Sequence, residues 1–88
     1  MAKLDFDKVT NAKAKPVGVA VMRVIDALQD LQPYEQAMGT AAAFLLLSEH
    51  LKVPAQDIFT STKNLMNGSD GVRPEFRATR AYMEHVLK

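Results

Sequence analysis

The sequence predicts an all-α protein, a compact bundle of about four helices with an apolar second helix at its centre. Three observations predict it. Four prolines, Pro16, Pro33, Pro54 and Pro74, each stand just before a segment whose apolar residues recur at helical spacing. Proline suits the first helical position, where its missing N–H would lack a partner anyway. No segment alternates apolar and polar residues convincingly over strand length; the valines of VGVAVMRV alternate, but their register continues helically to Leu31.

The first helix is expected over residues 17–32. Val17, Val21, Val24, Leu28 and Leu31 follow one another at steps of four and three, widened by Ile25, while Arg23, Asp26 and Asp30 take the other side. Its β-branched residues lower the intrinsic propensity, so packing must hold it.

The second helix, 34–52, is apolar all round at its centre, with only Thr40 interrupting. A helix apolar on every side is expected to be buried on every side, as the central helix of the domain or as the contact between two domains. Gly39, Ala42 and Ala43 make it thin enough for another backbone to approach, and mark it as a self-association surface for a homo-oligomer.

The third helix, 55–67, places Ile58, Phe59, Thr62, Leu65 and Met66 on one arc and Gln56, Thr60, Lys63 and Asn64 on the opposite one. Asp57 suits the positive helix start, and Asn67-Gly68 is a stop. NGSDGVRP reads as a loop of turn formers. The fourth helix, 74–87, should bury Phe76, Thr79, Met83, Val86 and Leu87. Residues 1–15 are poor in helix signal and read as an N-terminal arm with Leu4, Phe6 and Val9 as anchors, leaving 16–88 as the helical domain.

Composition narrows the function. Eighty-eight residues make one domain, and a chain of that size buries only roughly 60% of its unfolded surface. Lys plus Arg is 11 against 10 for Asp plus Glu, a balance that argues against a protein built to coat nucleic acid or anionic lipid. With no cysteine there is no disulfide, thiolate metal site or Cys nucleophile. The start lacks a signal-peptide apolar run, and AMGTAAAFLLL is far short of the ~20 residues of a membrane helix. A soluble, cytoplasmic protein with no membrane association is expected.

Catalytic chemistry finds no support. Glu49-His50 and Glu84-His85 are adjacent pairs, and neighbours on a helix point about 100° apart rather than sharing a face as a Glu-x-x-His metal site requires. No glycine elbow, phosphate-cradling loop or His-rich metal spacing occurs. No enzyme activity, metal or cofactor is expected.

Two binding constellations remain. LKVPAQDI resembles the turn of helix-turn-helix proteins, and Gln56, Thr60, Lys63 and Asn64 are residue types that read base edges. Against it, Lys52 stands where glycine is usual, Phe59 and Met66 are expected to bury the third helix heavily, and Asp57 would meet phosphates with the wrong sign. Arg73, Arg77 and Arg80 step by four and three, so they share a helix face able to hold phosphates or an acidic partner.

The run GTAAAFLLLSEHLKVPAQDIFTSTKNLM, with RPEFRATRAYMEHVL, resembles small helical accessory proteins of tailed bacteriophages. The resemblance covers residues 39–87 as a pattern of residue types, and the arm departs from it. It implies a small protein in the bacterial host cytoplasm that binds a host or phage protein, and it carries over no functional residues. The expected function is a non-enzymatic, self-associating protein-binding module; the alternative is a helix-turn-helix DNA-binding regulator.

Overall fold

A computed structural model describes residues 12–87, and the anchors Leu4, Phe6 and Val9 lie outside the described residues. The described residues form four α-helices: α1 (Ala14–Leu28), α2 (Pro33–Leu51), α3 (Ala55–Met66) and α4 (Pro74–Val86). Between α3 and α4 lies a two-stranded hairpin, β1 (Asn67–Gly68) and β2 (Gly71–Val72). The all-α bundle predicted by the four prolines is the observed architecture.

Pro33 and Pro74 occupy the first turn of α2 and α4 as expected. The other two prolines do not open their helices. Pro54 is the extended N-cap of α3. Pro16 sits inside the first turn of α1, which begins at Ala14, two residues before the expected domain start. The first N–H groups of a helix have no internal partner, so proline is tolerated there without marking the first residue.

The core lies between α1 and α4, the most extensive helix pairing in the molecule. Among the described residues, Ile25 on α1 and Phe76 on α4 are the two buried apolar side chains, at 1% and 3% exposure. Gly18 is buried at this contact, where a Cβ would stand 3.6 Å from Cβ of Glu75, an ordinary van der Waals distance. Farther along, the Tyr82 hydroxyl donates to the Asp26 carboxylate, which also accepts from Gln29 Nε2 at 3.0 Å. The start of α1 thus meets the start of α4, and its later turns meet the later turns of α4. The two helices run parallel, so α2, α3 and the hairpin form the return connection between them.

That topology overturns the expectation of a central, buried second helix. As part of the return, α2 pairs with α3 and touches the α1–α4 pair only sparsely. Its single buried residue is Ser48, whose hydroxyl donates to the Phe44 carbonyl at 2.9 Å. Tyr34, Met38, Leu45, Leu46 and Leu47 are all more than half exposed. The apolar pattern is present; among the described residues no element covers it. The third and fourth helices are likewise shallower than expected, with Phe59 and Met83 exposed and Thr62 on the surface.

The NGSDGVRP segment, read as an irregular loop, closes as a tight ladder in which Asn67 faces Val72 and Gly68 faces Gly71. Gly71 takes φ +105°, a conformation that side chains rarely adopt. Two-residue strands escape any periodicity test, which explains the miss.

The Tyr82–Asp26 contact generates a pH prediction. The hydrogen bond to Asp26 holds the Tyr82 phenol above its ordinary value of 10.0, with desolvation and the charge of Asp26 acting in the same direction. A folded-state pKa raised above the unfolded one gives stability that is present below pH about 10 and lost as pH rises through the folded value. In a Tyr34→Phe background Tyr82 is the sole tyrosine. Its phenolate absorbance should then rise with a midpoint above 10, and Asp26→Asn should bring that midpoint back toward 10. No response to Asp26→Asn would show that the bond does not form in solution.

Candidate functional site

Two surfaces come together around α2. One is a groove of about 770 Å³ between the α1–α4 pair and the α2–α3 pair. Val21, Val24 and Leu28 of α1 form one wall, and Ala37, Thr40 and Phe44 of α2 face them. Ile58 and Phe59 of α3 and Met83 of α4 close the ends. The lining is almost wholly apolar. Its polar groups are Gln36, Thr40 and Thr62, and Gln36 is engaged, with Nε2 donating to the Leu28 carbonyl at 2.9 Å. Apolar concavity with few polar groups suits an apolar side-chain surface rather than a charged ligand.

The second surface is the outward side of α2. Gly39, Ala42 and Ala43 are all exposed, and a Cβ added at Gly39 would meet nothing within 4 Å. The flanks carry Tyr34 at 67%, Met38 at 70% and Leu46 at 65% exposure. Tyr34, Met38 and Leu45 share one side of α2, and the exposed Leu46 and Leu47 point successively farther round it, so the exposed apolar surface spreads over much of the helix circumference.

The α2–α3 corner has its own geometry. Lys52 adopts φ 58° and ψ 40°, the left-handed region, and its N–H donates to the Glu49 carbonyl at 3.1 Å. Val53 N–H donates to the Ser48 carbonyl, also at 3.1 Å. The two bonds make a Schellman cap, a motif that usually places glycine at the left-handed position. The residue that departs from the helix-turn-helix pattern therefore takes the backbone conformation that the glycine would take.

Beyond the corner, Gln56, Thr60, Lys63 and Asn64 are all exposed on α3. Gln56 Nε2 donates to Thr60 Oγ1 at 3.1 Å, and the Lys63 ammonium lies 5.5 Å from the Phe59 ring centre. Asp57 is exposed in the first turn of the same helix.

The three arginines do not act as one row. Arg73 is the extended N-cap of α4, and its Nε donates to the Leu65 carbonyl at 2.7 Å while its N–H donates to Met66 at 2.9 Å. With Asn67 Nδ2 donating to the Lys63 carbonyl at 2.8 Å, it closes the C-terminal end of α3. The cation favours the negative end of that helix dipole. Arg77 and Arg80 are exposed on α4, without such an attachment. The capping role of Arg73 had one signal in the sequence, a basic residue a short turn after a helix stop.

Glu49, His50, Glu84 and His85 are exposed, and no group of three or more His, Cys, Asp or Glu that could hold a metal occurs among the described residues. No helix among them is long and apolar enough to cross a membrane. No protein-family model matches the chain, and no curated protein or solved structure is detectably similar to it.

The cap at Lys52 carries a stability prediction. A side chain in the left-handed region costs about 1 kcal/mol relative to glycine. Lys52→Gly should therefore raise stability in chemical denaturation by roughly 0.5–1 kcal/mol, less the entropy glycine adds to the unfolded chain. A loss of stability would mean that the corner is not left-handed in solution.

Proposed function

We propose that this chain is a non-enzymatic protein-binding module that self-associates through α2. One observation carries the reading: among the described residues, a 19-residue helix rich in apolar side chains has a single buried residue. Large apolar side chains left open to water on one element mark it as an interaction surface. The small core makes the same point, because a domain of this length commonly completes its core by pairing. The groove is suited to an amphipathic helix of a second protein, whose apolar anchors at successive turns would replace the missing layer. The resemblance to phage accessory proteins supports a host or phage protein in that role, within the bacterial cytoplasm.

Sedimentation tests the reading. The wild type should run above its chain mass of 9.7 kDa at micromolar concentration. Met38→Lys combined with Leu45→Lys should return it to that mass with helix content retained, since both side chains are exposed in the single chain. A wild type that stays monomeric at 100 micromolar would remove self-association from the reading.

The left-handed Lys52 favours a second reading, DNA binding by α3 in a major groove. It requires binding that steepens with falling salt by about 0.9 log units per phosphate contact. Arg77→Ala and Arg80→Ala should flatten that slope, whereas Gln56→Ala or Asn64→Ala should change sequence preference. Because α3 carries Asp57 and only Lys63 as its cation, duplex DNA is expected to bind weakly near physiological salt. A tight, sequence-dependent gel shift at that salt would promote this reading over the first.

A further inference from the structure

We infer that Asn67 is a site of spontaneous modification, where the side-chain amide is lost to the chain's own backbone through the Gly68 nitrogen, and that opening of the β1–β2 hairpin sets its rate. Asn67 stands directly before Gly68. Glycine has no side chain to shield its nitrogen from the neighbouring carboxamide. Water is the one co-reactant. A base in solvent takes the proton of the Gly68 N–H, and the nitrogen attacks Cγ of Asn67 to close a cyclic imide. The Cγ–Nδ2 bond breaks, and Nδ2 takes up a proton and leaves as ammonia. Water then adds to one of the two imide carbonyls. One opening leaves aspartate; the other carries the main chain through the side chain as isoaspartate.

The folded hairpin holds these groups apart. Asn67 has ψ 127°, which turns the Gly68 nitrogen away from the side chain it must reach. Bonded pairs alternate along an antiparallel ladder. Because the Arg73 N–H donates to the Met66 carbonyl at 2.9 Å, the Gly68 N–H is committed to the Gly71 carbonyl. The leaving amide is held too, with Nδ2 donating to the Lys63 carbonyl at 2.8 Å. Reaction therefore requires the ladder to open. Its strands are two residues long, and Asn67, Ser69, Asp70 and Gly71 are all exposed, the marks of a segment that opens locally at little cost. Asn64 makes the contrast, because it precedes Leu65 inside α3, where the helix holds the following N–H and a side chain shields it. The change at Asn67 runs one way. It removes the donor to Lys63 and sets a carboxylate at the negative end of α3, or it lengthens the main chain of β1.

Peptide mapping by mass spectrometry of the full chain, kept in mildly alkaline buffer, tests the inference. Native wild type is followed beside wild type unfolded in urea and two variants checked for helix content by circular dichroism. Arg73→Ala removes the bond from Arg73 Nε to the Leu65 carbonyl, and Gly71→Ala puts a side chain where φ is +105°. In native wild type Asn67 should convert before Asn64. Conversion should be faster in Arg73→Ala, faster by roughly fivefold or more in Gly71→Ala, and fastest in urea. Equal rates in native and unfolded wild type would overturn the gating by the hairpin. So would folded variants that convert no faster than wild type. An Asn67 that stays intact in the native wild type for as long as Asn64 does would overturn the site itself.

Discussion

The contact of α1 with α4 is the constraint on which the rest of the molecule depends. Both buried apolar side chains, Ile25 and Phe76, belong to that pair. Gly18 packs against Glu75 at one end and the Tyr82–Asp26 bond joins the helices toward the other. The other two helices hang from this pair by their ends rather than their faces. Gln36 ties α2 to the last turn of α1, and Arg73 ties the end of α3 to the start of α4. Each tie satisfies a terminal carbonyl that would otherwise face water alone.

A structure held in that way leaves an open space between its two halves. Hydrogen bonds at helix ends fix direction but remove little apolar surface from water, and apolar burial supplies most of the driving force of folding. The groove and the exposed side of α2 are therefore two aspects of one deficit. Burial by another polypeptide links stability to concentration, so the fold and the binding function would draw on the same surface.

Much of the fold was legible in the sequence, because apolar periodicity and proline placement report on single helices. The faces of α1 and α4 were read in part: Ile25, Phe76 and Thr79 are buried and Arg23, Asp26 and Asp30 are exposed, but Val24 and Met83 of the expected apolar faces are exposed too, and Leu31 lies beyond the end of α1. The place of α2 was not legible. An apolar circumference states that a helix will be covered, but not whether its own chain or another does so. The hairpin was too short to show a period. Of the candidate site, the exposed residues of α3 were placed correctly. The separation of Arg73 from Arg77 and Arg80 depends on where a helix begins, which spacing alone does not decide. The conformation of Lys52 was hidden because its residue type disfavours it.

The parallel course of α1 and α4 bears on how the chain comes to be folded. Helical proteins usually reach their native contacts quickly, since neighbours in space are neighbours in sequence. Here the Asp26–Tyr82 contact joins residues 56 apart. The core cannot form until α4 has been synthesised and the segment before it has doubled back. Loop closure must precede the burial that rewards it, and each doubling of loop length costs about 0.6 kcal/mol more. Until α4 arrives, α1 has no surface to pack on, and the nascent chain displays Val17, Val21, Ile25 and Leu28 together. A ribosome-bound chain of this kind would rest on chaperone protection longer than an up-and-down bundle of equal size.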